Sequence, residues 1–258
     1  MLIDKVTYSS LNFKTSQNIN KRQNFKHRFN EKVVAIDEKQ AGAIGYAFIG
    51  AISPVIAINM LKKGRINKIV NSFKNNDSIN EKLKSMWKLL EIENYGQILA
   101  TTTGGIAGGL FAGLNNSNTK QEKEVKYKEG IFEFLNNMTP TTLVALGTLL
   151  LEKTGNSKSI PLKASLIFSS VAGGMYAANK LSNSIYQSTF DKYKPEEEKT
   201  KRNFKISDTF VHVDDLISLA VLTKIPFANK LQVDKLLPLI YTRAGYEVGT
   251  ANSQDFLK

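Results

Sequence analysis

The sequence predicts an all-α fold: a helical integral membrane protein with about four transmembrane helices arranged as two hairpins, followed by an amphipathic helical hairpin towards the C-terminal end. Three observations lead there. Charge is absent from four long windows of a chain otherwise rich in Lys, Asn and Ser; glycine and alanine recur at four-residue spacing inside those windows; and the basic residues fall unevenly on the segments between them. A mean hydropathy of −0.22 hides the pattern, because it averages very polar stretches with nearly charge-free ones.

Residues 1–40 are rich in Ser, Asn and Lys, with scattered aromatics and no sustained apolar period, and are expected to form a disordered basic tail. Within it, Lys21, Arg22, Lys26 and Arg28 interleave with Phe25 and Phe29, which reads either as a solvated tail or as a patch that holds anionic lipid headgroups. The tail lacks the apolar core of a secretory signal, so the next segment is expected to act as the signal anchor.

That segment, residues 41–61, runs 21 residues without a charge and closes on Lys62, Lys63 and Arg65. At 1.5 Å per residue it matches a hydrocarbon core of roughly 30 Å. A helix of a soluble bundle needs a polar face every 3.6 residues, and here no face carries a charge. Residues 66–93 follow as an amphipathic helical loop. Ile66, Ile69, Val70 and Phe73 share one face; a break at 75–78 precedes Leu83, Met86, Trp87, Leu89 and Leu90. Lys and Trp beside an apolar face suit a helix lying in the membrane interface, and packing on the rest of the protein is the alternative.

The second window, 98–114, contains Gly105, Gly109 and Gly113 four apart, hence on one stripe of a helix. In lipid, helices gain little from hydrophobic association and need close backbone approach, so a small-residue stripe is expected to form a helix–helix seam, within one chain or between chains. The third window, 134–151, holds Pro140 amid Asn136, Asn137, Thr139, Thr141 and Thr142. The fourth, 164–179, offers Gly173, Gly174 and Ala177 as a comparable packing surface. An offset of 65 residues aligns 106–113 with 171–178, every pair identical or similar, and the first and third windows each contain a proline and end in a short charged turn. The pattern suggests a tandem pair of helical hairpins, chance similarity of apolar sequence being the alternative.

Residues 181–205 read as a charged linker and 206–245 as a helical hairpin that docks on the membrane part or at its surface, leaving 246–258 as a flexible tail. Asp214 and Asp215 open its first helix; the second runs from about 229 to 243, is interrupted at Pro238, and takes Gly245 as its stop signal.

Orientation follows from the basic residues. Segments 1–40, 115–133 and 180–258 hold 24 of the 35 Lys and Arg, and segments 62–97 and 152–163 hold 11. The positive-inside rule therefore puts both termini in the cytoplasm, although segment 62–97 is awkward there with eight basic residues and a net charge of +4.

Chemistry is sparse. The chain has no cysteine and only two histidines, which excludes thiolate metal sites, disulfides and cysteine nucleophiles. His212 with Asp214 and Asp215 is the one cluster that hints at metal or catalysis, but adjacent aspartates diverge on a helix, so a helix start explains them better. The glycine pairs at 104–105 and 108–109 lack the lysine or strand that phosphate binding needs. No catalytic residue, metal or cofactor is therefore expected. Although the net charge is +12, the basic residues are spread over every segment, which disfavours nucleic acid and favours a bilayer with anionic headgroups. The expectation is a non-enzymatic membrane scaffold or assembly protein that packs through glycine-rich helices and meets a second copy or another membrane protein. A small-solute transporter or pore is the first alternative, and a soluble helical bundle that binds membrane surfaces the second.

Overall fold

The computed structural model describes residues 38–62, 64–75, 78–196, 199, 201, 213–223 and 232–252. The basic patch at Lys21, Arg22, Lys26 and Arg28, and His212, lie outside the described residues, as do the side chains of Asp214 and Asp215. Every element is helical: α1 (Glu38–Leu61), α2 (Arg65–Lys74), α3 (Ile79–Trp87), α4 (Tyr95–Asn115), α5 (Lys120–Lys153), α6 (Ile160–Thr189), α7 (Val213–Leu222) and α8 (Leu237–Thr250), with short 3₁₀ turns at Lys88–Leu90 and Val233–Lys235. Among the described residues there is no strand.

Local signals place most boundaries. The break at 75–78 ends in Ser78, whose side chain accepts from the Glu81 N–H while Glu81 returns to the Ser78 N–H, a complete capping box that starts α3. Asn94 and Thr119 cap α4 and α5 through their side chains. Two boundaries depart from the sequence expectation. The third and fourth charge-free windows turn out to be parts of much longer helices, the C-terminal part of α5 with 34 residues and the N-terminal part of α6 with 30. The expected linker from 181 is thus still helix as far as Thr189, because Ser182 and Tyr186 continue the buried face of α6 with groups that a charge-and-hydropathy scan does not count as core. Gly245, expected to stop a helix, instead sits in the middle of α8, which runs to Thr250 with Pro238 in its first turn.

Contacts fix the directions. Tyr46 lies against Gly108 and Gly50 against Gly104, so α1 and α4 are antiparallel. Pro140 meets Gly174 and Gly147 meets Leu166, so α5 and α6 are antiparallel too. Of the two expected placements, on the membrane part or at its surface, the C-terminal α8 takes neither edge: it runs parallel to α4 within the bundle, with Tyr241, Gly245 and Gly249 beside Gly105, Gly109 and Gly113. Residues from α7 enter the same interior, where Leu219 packs with Val144, Ile167, Val171 and Met175, and Ser218 accepts a hydrogen bond of 2.7 Å from the Tyr241 hydroxyl. Lysines close the ends of these two inserted helices. Lys126 donates to the Gly249 and Ala251 carbonyls at 2.8 and 2.5 Å, and Lys163 to the Thr223 carbonyl at 2.7 Å, placing a cation on the negative end of each helix dipole.

Among the described residues two helices, α1 and α5, are long and apolar enough to cross a membrane, against the four or so expected from the sequence. Their 24 and 34 residues correspond to about 36 and 51 Å of helix.

Candidate functional site

Three sets of residues in the bundle are built in a way that ordinary core packing does not require. The first is the glycine seam. Along α1 the buried positions are Ala43, Ala47, Ala51, Val55 and Asn59, a strict four-residue repeat. On α4 they include Gly105, Gly109 and Gly113, and on α8 Tyr241, Gly245 and Gly249. The three stripes meet. A methyl group placed on Gly105 would fall 2.8 Å from the Tyr241 carbonyl oxygen; one on Gly109 would overlap the Gly245 carbonyl outright; one on Gly245 would reach 2.6 Å from the Ala47 Cβ. The obstacles are backbone and methyl groups, which cannot swing aside.

Gly105, Gly109 and Gly113 thus lie against α8, and Gly105 also against Ala51 of α1, within one chain. On α6 the packing surface differs from the expected one. Gly174 is buried against Pro140, but Gly173 and Ala177 point outwards, and nothing lies within 4 Å of a methyl placed on Gly173. Helical geometry explains it: residues 173 and 174 sit about 100° apart, so only one of a glycine pair can face a neighbour. The aligned positions 109 and 113, and 174 and 178, are all buried, yet the glycines meet different partners, Gly109 the backbone of α8 and Gly174 Pro140 of α5. One contact type does recur: Pro54 packs on Gly104 as Pro140 packs on Gly174.

The second set is polar and buried. On α5 it comprises Lys128, Glu129, Glu133, Asn136, Asn137 and Thr141, and on α6 Ser170, Asn179 and Ser182. Glu133, at the edge of a sequence window, is 2% exposed and well inside the α5 helix. Part of the polarity serves the backbone around Pro140: Asn137 donates from Nδ2 to the Glu133 carbonyl at 2.7 Å, and Thr141 and Thr142 donate to the carbonyls of Asn137 and Met138 at 2.6 and 2.7 Å. Asn137 Oδ1 and the Thr101 and Thr102 hydroxyls, also buried, make no hydrogen bond among the described residues. Lys128 and Asp191, both almost fully buried, pair at 3.0 Å, and Glu124 and Lys194 complete a four-charge network at 2.7 to 2.9 Å. The Tyr186 hydroxyl donates to the Lys128 carbonyl at 2.7 Å, fastening α6 to α5 beside it.

The third set gathers where α1 ends and α4 begins. Asn59, fully buried, donates to the Leu89 and Glu91 carbonyls at 2.8 Å and accepts from Gln97 Nε2 and from Arg65, both at 2.9 Å. Arg65 also pairs with Glu91 and Glu93, and Lys62 with Glu93 at 2.7 Å. The hydrogen bond from Lys62, with the charges of Lys62 and Arg65, holds the Glu93 carboxyl below the usual carboxylate range against an opposing effect of burial. This knot ties the α2–α3 segment to the ends of α1 and α4.

The chain matches no family model, no curated protein and no solved structure.

Of these residues, the sequence pointed to the α4 glycines, to Gly174 and to Asn136, Asn137 and Thr141 around Pro140; it did not point to Asn59 or to the Lys128–Asp191 pair. The alanines at 43, 47 and 51 and the glycines at 245 and 249 carried a readable signal in their four-residue spacing. Lys128 with Asp191 carried none, since 63 residues separate them and both lie in polar stretches.

Proposed function

We propose that the chain is a multi-pass membrane protein that works as a non-enzymatic scaffold or assembly protein, its glycine-packed bundle set in the bilayer with both termini on the cytoplasmic side. One observation carries the reading: beside their buried apolar residues, four helices bury small and polar ones while leaving large apolar side chains outside. α1 buries Ala43, Ala47 and Ala51 and exposes Ile44, Phe48 and Ile49; α4 buries Thr101, Gly105 and Gly109 and exposes Phe111; α5 buries Asn136, Asn137 and Thr141 and exposes Leu143, Leu146, Leu149 and Leu150; α6 buries Gly174, Asn179 and Ser182 and exposes Phe168, Tyr176 and Leu181. In water each of those large side chains forfeits up to about 1.5–3 kcal/mol by staying outside. The eleven together rival the 5–15 kcal/mol that holds a typical domain together. In hydrocarbon the cost vanishes, and small residues inside are what close helix approach needs. Exposed apolar side chains in such number mark a lipid or partner interface.

The scaffold reading draws on how the seam is used. The α4 glycines are consumed within the chain, so a second copy or another membrane protein meets other faces, among them the outward side of α6 with Gly173 and Ala177. Sodium carbonate extraction of membranes holding the full chain tests the membrane assignment. Retention in the pellet is expected, and release into the supernatant favours the surface-binding soluble bundle.

A second reading, a small-solute transporter or pore, is favoured by the buried Glu129, Glu133, Asn136 and Asn137, because ionisable groups inside a membrane bundle usually mark a pathway. Reconstituted vesicles separate the two readings. The scaffold passes neither potassium nor glycerol above the rate of empty vesicles. Flux that disappears in Glu133→Gln and in Asn137→Ala establishes the transporter instead.

A further inference from the structure

We propose that α2 and α3 form an in-plane membrane hairpin whose cleft binds the phosphate headgroup of an anionic phospholipid; the inference rests on the membrane reading above and assigns a ligand to one end of the bundle. The two helices leave their apolar sides uncovered. Ile66, Val70 and Phe73 on α2 are 43, 40 and 51% exposed, and Ile79, Leu83 and Met86 on α3 are 76, 58 and 49% exposed, whereas the one buried residue of α2 is Ser72. An amphipathic pair with this outward apolar face is covered by something. The occupant is identified by what surrounds the face. Met60 and Leu61, the exposed apolar end of α1, precede the start of α2 at Arg65 by only a few residues, so apolar residues left uncovered on α1 are followed at once by those of the hairpin.

Charge identifies the headgroup. Between α2 and α3 lies a cleft of about 280 Å³ lined by Arg65, Lys68, Ser85, Lys88 and Glu91, with Ile69 and Leu89. Arg65 and Glu91 neutralise each other at 3.3 Å as part of the knot that positions the hairpin. Lys68 and Lys88 have no carboxylate partner among the described residues, so the cleft keeps two cationic donors and a serine hydroxyl, which is the donor set a phosphodiester takes. Lys82 lies over the Phe73 ring at 5.5 Å and holds the two helices face to face with the cleft between them. Segment 62–97 also carries its net +4 into this region, which pays no penalty at an anionic interface.

The chain contains a single tryptophan, Trp87, at the end of α3, so its fluorescence reports on this hairpin alone. The full chain is reconstituted in vesicles of phosphatidylcholine, alone or mixed with phosphatidylglycerol, containing lipids brominated either near the glycerol or at the chain end. Shallow bromines are expected to quench Trp87 more than deep ones. In detergent, phosphatidylglycerol is expected to raise the thermal midpoint of the wild-type chain, and the Lys68→Gln/Lys88→Gln double variant to bind it roughly 30-fold more weakly while keeping its midpoint in phosphatidylcholine. If Trp87 is untouched by either bromine position while the chain resists carbonate extraction, the hairpin inference is wrong and the face docks on protein or solvent. Unchanged phosphatidylglycerol affinity in the double variant overturns the headgroup site. Release of the chain by carbonate marks a failure of the membrane reading itself, a result the other two do not produce.

Discussion

Single residues in this protein act mainly by what they allow the backbone to do or by closing a charge in a buried place. Lys128 and Asp191 exemplify the second role, because each is removed from water and each needs the other, with Glu124 and Lys194 sharing the load. Glu93 shows a charge at the rim instead. Its carboxyl titrates below the usual range because Lys62 donates to it and Arg65 stands beside it. A depressed carboxylate contributes stability that is complete above the unfolded pKa, near 4.5, and is lost as the pH falls through the lower folded value. The α1–α4 junction should therefore loosen in mild acid. Wild type and Glu93→Gln, compared by thermal unfolding in detergent, should differ at neutral pH and converge as the pH drops below that window; a difference that persists in acid would show that Glu93 acts through something other than its charge.

Elements pair here through small residues, and the pairing decides which substitutions are tolerated. Gly109 and Gly173 have the same chemistry and opposite surroundings. Gly109→Ala drives a methyl into the Gly245 carbonyl, which is backbone of another helix, so the cost should exceed the ~1–3 kcal/mol of ordinary overpacking. Gly173→Ala meets open space and replaces the poorest ordinary helix former with the best, so it should be neutral or stabilising by up to about 1 kcal/mol. Thermal midpoints of the two variants in the same detergent check both signs at once. Equal effects would mean that the close α4–α8 approach does not hold in solution.

At the scale of the whole molecule, helix directions make a topological statement. The turn from α2 to α3 and the turn from α5 to α6 lie at one end of the bundle, and the turn from α4 to α5 at the other, since α4 and α5 run the length of the bundle between them. The chain has no cysteine of its own, so Asn80→Cys, Asn118→Cys and Asn156→Cys can be labelled one at a time in intact cells. An impermeant thiol reagent should reach Asn80→Cys and Asn156→Cys but not Asn118→Cys, matching a cytoplasmic N-terminal side. Labelling of all three, or of Asn80→Cys and Asn118→Cys together, would contradict a bundle that crosses the bilayer in these directions.

What the sequence determined by itself was local: the helical class, the break between α2 and α3, the amphipathic character of 66–93, and the four-residue spacing of Gly105, Gly109 and Gly113. Each is written in residues within about two turns of one another, where periodicity and capping operate. Only the tertiary structure decided who faces whom. It turned Gly245 from a helix stop into the partner of Gly109, sent Gly173 and Ala177 outwards while Gly174 met Pro140, drew the C-terminal α8 into the bundle beside α4, and buried Glu133 and the Lys128–Asp191 pair. The physical reason is the same in each case. Close packing without side chains and the neutralisation of buried charge depend on surfaces brought together from different helices far apart in the chain, and no local pattern encodes the partner.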